Sequence, residues 1–184
     1  MSDGPRIVLV GTSGAGKTTL AGRIAARLGV EHVEIDALFH GPGWTPRPEF
    51  LDDVRTFVAR DAWVTEWQYA DGRPLLTERA TLAVWLDYPL WLRMGRVVRR
   101  TVSRRVRRTR LWNGNVEPSL WRAFTDREGI VRWAWDTRHK YDDLPAQLTA
   151  SGRPDLTVVR LRSPAEAERW LATVQRPVSD AGLD

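Results

Sequence analysis

Five short segments read as strands: Arg6 to Val10 and Leu82 to Leu86, which are apolar runs without alternation, and Val30 to Ile35, Ala62 to Glu66 and Leu156 to Leu161. A half-solvated strand alternates apolar and polar residues, whereas a strand covered on both faces does not, so these runs predict buried strands of a parallel sheet. Helical patterns fill the gaps. Leu20, Ile24, Ala25 and Leu28 recur at helical spacing, and Gly29 closes that segment as a C-cap. Asp36 to Pro48 holds two glycines and three prolines and predicts a loop, and Glu49 to Arg60 then sets Phe50, Val54, Phe57 and Val58 on one helix face. A shorter helix is expected around Leu75 to Ala80. Strand alternating with helix implies an α/β fold with three layers.

Pro89 suits the first turn of a long helix. In it Leu90, Met94, Val98, Val102 and Val106 step by four, and Arg96, Arg100, Arg104 and Arg108 step by four from a start about 200° around the axis. The spacing predicts one apolar face and one arginine face. Leu111 to Pro118 breaks the pattern with Asn113, Gly114 and Asn115; helix resumes from Ser119 to about Trp135, and another segment covers Lys140 to Ala150. Ser163, Pro164 and Glu166 form a capping box for a last helix, and residues 176–184 read as a loose tail. Residues 1–175 are expected to form a single domain.

Charge adds a second layer. The 184 residues carry a formal charge of +5, and the only lysines are Lys17 and Lys140. Nine arginines fall between Arg93 and Arg110, and no acidic residue lies between Asp87 and Glu117, so this stretch concentrates positive field. Such a field suits phosphates, whether of nucleic acid or of a polyphosphate nucleotide. The absence of cysteine excludes disulfides, thiolate catalysis and cysteine-based zinc sites. Nothing approaches the ~18 consecutive apolar residues that span a bilayer, and the expectation is a cytoplasmic protein without membrane contact.

The chemistry is carried by Gly11, Thr12, Ser13, Gly14, Ala15, Gly16, Lys17 and Thr18, which fit G-x-x-x-x-G-K-[ST] between a predicted strand and a predicted helix. Backbone N–H groups of such a loop face phosphate oxygens, the helix N-terminus adds a favourable dipole, the lysine neutralises the β- and γ-phosphates, and the threonine hydroxyl can coordinate Mg²⁺. Nucleotide binding is therefore assigned to Gly11, Gly14, Ala15, Gly16, Lys17, Thr18 and Thr19. The guanine-reading N-K-x-D of GTPases is absent, since neither lysine follows an asparagine.

A strand, the P-loop, acids ending strands two and three, and an arginine-bearing segment after strand four together resemble the P-loop kinases of the adenylate kinase and shikimate kinase type. The resemblance spans nearly the whole chain. Within that group, Ile35, Asp36, Ala37, Leu38, His40 and Trp44, with Trp63 to Tyr69, look like the adenylate-kinase-related proteins labelled DNA topology modulation proteins. Those typically read L-D-x-L-x-W and W-I-x-D-G-N-Y; here Glu66 stands for the Asp, Trp67 for the Gly and Gln68 for the Asn. The resemblance implies a P-loop NTPase fold with strand order 2-3-1-4-5, an acceptor region at about 36–60 and a helical arginine-rich lid at about 96–135. It implies ATP and Mg²⁺ as cofactors.

Roles follow from the same resemblance. Asp36 would position the acceptor or take its hydroxyl proton, with a loop carboxylate or helix cap as the plainer reading. Glu66 would hold Mg²⁺ through water, beside Thr18, or act as base. Asp87 is equally well explained as a cap of the helix behind it. Arg100 and Arg104 would bind nucleotide, and Arg104, Arg108 and Arg127 would stabilise the transferred phosphoryl group alongside Lys17, where a well-placed arginine can be worth ~10³ to 10⁵ in rate. His40, Trp44, Trp67, Tyr69, Asn113 and Arg132 are the acceptor-site candidates, the two tryptophans for stacking on a flat substrate. His32 and His139 read as ordinary residues. The expected activity is phosphoryl transfer from ATP to a nucleoside monophosphate or nucleoside; a nucleic-acid-associated ATPase and a polynucleotide 5′-kinase are the alternatives. A small-molecule acceptor is expected as the partner, and nucleic acid is not favoured.

Overall fold

The structure, a computed structural model, describes residues 4–106 and 130–175. Five parallel strands form one sheet in the order β2-β3-β1-β4-β5. They are β1 (Arg6–Val10), β2 (His32–Val33), β3 (Trp63–Glu66), β4 (Leu82–Leu86) and β5 (Thr157–Leu161). The central strand pairs on both sides, Leu9 opposite Glu66 and Val10 opposite Trp85. The implied strand order is therefore the observed one.

Period-two geometry divides each strand between two cores. Val8, Val10, Ala83 and Trp85 pack against α3 (Phe50–Val58), α4 (Arg73–Arg79) and α7 (Leu144–Ala150). Ile7, Leu9, Val84 and Leu86 turn to the other face, onto α1 (Lys17–Leu28) and α8 (Pro164–Thr173). Both faces being covered, β1, β3 and β4 have no polar side to show, which is why β1 and β4 do not alternate, whereas the edge strand β5 exposes Thr157 and Arg160. Gly29 ends α1 in the left-handed conformation at φ 71°. Ser163 accepts the Glu166 N–H while the Glu166 carboxylate accepts the Arg162 N–H, closing the entry to α8. Among the described residues no helix is long and apolar enough to cross a membrane.

Two elements differ from expectation. The second strand is only two residues long, and Ile35 already starts α2 (Ile35–Phe39), so Asp36 lies in the first turn of a short helix rather than at a strand end. The stretch expected as a loop thus holds α2 and a 3₁₀ turn at Pro42–Trp44. The larger difference concerns α5 (Leu90–Val106). Val97 and Thr101 are its fully buried positions, Arg93, Arg96 and Arg100 share that inward side, and Val102 and Val106 are 37% and 73% exposed. The supposed apolar face is partly buried at Leu90, Met94 and Val98 and turns outward at Val102 and Val106, because the inward side also meets the P-loop, whose hydroxyl and carbonyl oxygens suit guanidinium groups better than methyls. After α5 the described chain continues with α6 (Ile130–Asp136), turns through 137–143 and α7. The proposed lid tip and the tail at 176–184 lie outside the described residues.

Candidate active site

Residues 11–16 turn sharply between β1 and α1, and Gly14 and Gly16 hold positive φ angles of 78° and 94° that favour glycine. A Cβ on Gly14 would land against the Arg93 carbonyl oxygen and 2.8 Å from Val97 Cγ2, so α5 lies directly on the loop. Lys17, at the first position of α1, is 9% exposed, and its Nζ donates to the Thr12 carbonyl at 3.4 Å. Burial lowers its pKa to about 8; the carboxylates of Asp36 and Glu66 oppose that fall, and Arg100 and Lys140 add to it. Two acids and two further cations therefore surround the lysine.

Three arginines of α5 clasp the loop. Arg93 Nη1 donates to Thr12 Oγ1 and, at 3.3 Å, to the Arg138 carbonyl. Arg96 Nη1 donates to the Ala15 carbonyl at 3.2 Å, and Arg100 Nη2 to Ser13 Oγ at 3.3 Å. Behind the loop a cavity of about 770 Å³ is lined by Thr19, Tyr88, Arg96, Arg100 and Pro164, among others. It joins the P-loop to α5 and the start of α8, and is large enough for a nucleotide base. Arg104 follows Arg100 by one turn.

The two acids sit on the other side of Lys17. Glu66 ends β3 at 2% exposure, with Oε1 3.3 Å from His32 Nε2 and Oε2 accepting the Ile35 N–H at 3.4 Å. Burial pushes its pKa up, but His32, a hydrogen bond with Thr18 and the Lys17 charge together bring it below the ordinary carboxylate value. An ionised carboxylate beside the Thr18 hydroxyl is a pair of hard oxygen donors, which fits a small divalent cation bound through water. Asp36 Oδ1 accepts from Gln68 Nε2 at 2.8 Å and from the Tyr69 hydroxyl at 2.5 Å. Burial, then Asp36, holds the Tyr69 hydroxyl above the usual phenol range, so it stays a neutral donor. His40 Nε2 is 3.1 Å from the same hydroxyl, and Trp44 meets the His40 ring edge-on at 5.2 Å. Asp36 and Glu66 thus both act on Lys17, and Tyr69, His40 and Trp44 cluster on Asp36.

Other candidates fall elsewhere. Trp67 is 1% exposed and its Nε1 donates to Thr77 Oγ1 at 2.9 Å, so its ring belongs to the core and is not a surface for stacking a substrate. Arg132 is more than half exposed and pairs with Asp136 at 3.7 Å along α6. Asp87 is held by Arg160 through bonds of 2.6 and 2.9 Å, an ion pair between β4 and β5 rather than a helix cap. Arg108, Arg127 and Asn113 lie outside the described residues.

The structure also supplies groups that sequence reasoning missed. His32, read as ordinary, touches Glu66. Arg93 and Arg96 hold the P-loop. Arg73, at the start of α4, lies over Trp67 with its guanidinium carbon 4.6 Å from the ring centroid and donates to the Tyr141 hydroxyl at 3.2 Å. That hydroxyl in turn donates to the Trp67 carbonyl at 3.3 Å. Beside it, burial and then the Arg73 charge lower the Lys140 pKa. Arg73 Nε is buried without a hydrogen-bond partner, and among the described residues Arg73 has no carboxylate in ion-pair range. Lys140 was legible only as one of two lysines in an arginine-rich chain, and for Arg73 the sequence offered no signal.

A P-loop on a 2-3-1-4-5 sheet, with acids and arginines converging on its lysine, defines a P-loop phosphotransferase. The chain is 31% identical over 149 residues to the shikimate kinase of Nitrobacter winogradskyi, an alignment covering 71% of this chain and 67% of that protein. Its fold matches the shikimate kinase of Acinetobacter baumannii in complex with shikimate at a TM-score of 0.52, with 21% identity and 91% of each chain covered. A gluconokinase from Sinorhizobium meliloti 1021 matches at 0.51, with 22% identity and 92% of each chain covered. No protein-family model matches the chain. The chain belongs to the shikimate kinase family of P-loop kinases and is an ATP-using kinase.

Proposed function

We propose that this kinase transfers the γ-phosphate of Mg²⁺-ATP to a hydroxyl of a small acceptor that also carries an acid group. The observation that carries the reading is Arg73, partly buried on Trp67 and Tyr141, without a carboxylate among the described residues, and next to Lys140. The buried, unpartnered Arg73 Nε and the Lys140 charge beside it favour an anion at Arg73. Lys140 and Asp36 both act on the Lys17 charge, which supports reading the anion site and Asp36 as parts of one centre. A nucleoside monophosphate or a hydroxy acid such as the shikimate of the structural relative satisfies this chemistry, whereas an unmodified nucleoside does not.

In this reading Asp36 takes the acceptor's hydroxyl proton, Lys17 and Arg100 offset charge on the transferred group, and Arg104 does the same one turn further along α5. Thr18 and, through water, Glu66 would hold Mg²⁺, which supplies charge neutralisation on the phosphates when bound. Arg108, Arg127 and Asn113 keep the lid roles that the family resemblance implies. The likeness to the DNA topology modulation proteins rests on the segments around Asp36 and Glu66 and leaves the acceptor open.

The test is product detection by mass spectrometry with ATP and Mg²⁺, wild type beside Lys17→Ala, across pools of nucleoside monophosphates, hydroxy acids, sugar phosphates, nucleosides and short oligonucleotides. One phosphorylated member of an anionic pool, lost in Lys17→Ala, is expected; a neutral nucleoside as sole product would refute the anion site. A nucleic-acid-linked ATPase is the second reading, favoured by the density of arginine on α5. It requires oligonucleotide binding whose log affinity falls with log salt at a slope near the number of phosphates met. The inward course of Arg93, Arg96 and Arg100 supports the kinase instead.

A further inference from the structure

Asp36 and His40 stand one turn apart, the His40 N–H donating to the Asp36 carbonyl at 3.0 Å, and the Tyr69 hydroxyl lies between their side chains. That hydroxyl has a single proton and two neighbours, Asp36 Oδ1 at 2.5 Å and His40 Nε2 at 3.1 Å. A carboxylate can only accept, and it is the nearer, so the proton points to Asp36. The His40 contact is then a hydrogen bond only if Nε2 carries the hydrogen and donates to the Tyr69 oxygen. Gln68 supplies the second donor to Oδ1. Both side-chain donors go to one oxygen, and Oδ2 receives neither.

The backbone is bent to reach this arrangement. Tyr69 holds φ 54°, in the left-handed region that a bulky residue rarely occupies. Its ring is gripped by Phe39, stacked at 3.7 Å, and by Phe50, edge-on at 5.5 Å. His40 is in turn flanked edge-on by Phe39 at 5.1 Å and Trp44 at 5.2 Å. Aromatic packing thus fixes the two groups whose hydrogen-bond directions decide which Asp36 oxygen is left.

We propose that Tyr69 and His40 are positioning residues for phosphoryl transfer: His40 donates Nε2–H to the Tyr69 oxygen, Tyr69 donates its proton to Asp36 Oδ1, and Oδ2 is thereby presented to the acceptor hydroxyl. This rests on the reading of Asp36 as the proton acceptor. In the step it serves, the acceptor oxygen uses its O–H electron pair to bond the γ-phosphorus, the proton goes to Asp36 Oδ2, and the bond from the γ-phosphorus to the bridging oxygen breaks with its pair leaving on ADP.

Two measurements test it. The first needs no acceptor: ¹⁵N NMR of the histidine side chains at about pH 8, where ordinary imidazoles are neutral, with His40→Gln used to assign the signal. The Nε2–H tautomer is expected for His40, with that preference lost in Tyr69→Phe. An Nδ1–H tautomer in the wild type, or a preference unmoved by Tyr69→Phe, overturns the proposal. The second measures ADP release with adenosine monophosphate and shikimate as probe acceptors. Tyr69→Phe should lower kcat roughly tenfold or more and leave the KM for ATP unchanged. His40→Leu should lower kcat, and His40→Gln, which keeps an N–H donor, should recover most of that loss. Tyr69→Phe with His40→Leu should be no slower than Tyr69→Phe alone, because His40 acts only through Tyr69. Additive losses, or a full rate in Tyr69→Phe, refute the proposal while Asp36 stands. Full transfer in Asp36→Asn would instead remove the parent reading, whichever tautomer His40 adopts.

Discussion

Replacing Lys17 with Met should make the protein more stable while removing its activity. In the fold Lys17 is 9% exposed, and burial lowers its pKa from 10.5 to about 8. At ~1.4 kcal/mol per pKa unit, holding the ammonium in this place costs about 3 kcal/mol of folding free energy at neutral pH. The sign follows from the direction of the shift. A lysine whose folded pKa lies below its unfolded one is penalised wherever both states are protonated, below about pH 8, and the penalty fades as pH rises from about 8 towards 10.5. Methionine keeps the unbranched stem that packs at the base of α1 and discards the charge. Part of the gain is returned, because Asp36 and Glu66 lose a cation that stabilises them. A net stabilisation of about 1–3 kcal/mol at pH 7 is therefore expected. Urea unfolding of both proteins at pH 7 and at pH 10 reads it out as the difference in midpoints at equal slope. Equal or lower stability of Lys17→Met at pH 7, or a difference that does not shrink by pH 10, would refute the reasoning.

Glu66→Gln acts on the acid side. The Glu66 pKa is depressed in the fold, so its contribution is present above about 4.5 and is lost as pH falls further; the variant should show a flatter loss of stability through that range, and equally steep acid unfolding would contradict it. Gly14→Ala places a Cβ at φ 78° against the Arg93 carbonyl and should lower the urea midpoint by the equivalent of about 2 kcal/mol or more; an unchanged midpoint would show that α5 does not lie on the loop. Trp67→Phe removes the hydrogen bond to Thr77 and part of a buried ring, which should lose about 1–3 kcal/mol of stability. Its KM for the acceptor should stay within a few-fold, and a large rise in KM at unchanged stability would restore a substrate-stacking role.

What was legible in the sequence is whatever local pattern alone dictates. The apolar runs Arg6 to Val10 and Leu82 to Leu86 read as strands covered on both faces, and Gly11 to Thr18 between a strand and a helix reads as a phosphate-binding loop, because glycine spacing, helix N-terminus and lysine lie within a few residues of each other. The capping box at Ser163 and the C-cap at Gly29 were equally local, and both stand where the residues placed them. Asp36 and Glu66 were legible as candidates because the ends of neighbouring parallel strands meet at one edge, even though the strand before Asp36 is shorter than Val30 to Ile35. Tertiary structure decided the rest. Periodicity in α5 says which residues share a face but not what that face meets; only folding showed that it meets hydroxyls and carbonyls of the P-loop, which draw the arginines in and leave Val102 and Val106 outside. Trp67 lies one residue past a strand end that reads as acceptor loop, yet Thr77 and Arg73 take it into the core. His32 meets Glu66 across 34 residues, and Arg73 meets Tyr141 across 68. Such contacts are made between side chains brought together by sheet order and helix packing, and a one-dimensional pattern holds no term for the distance between residues that far apart.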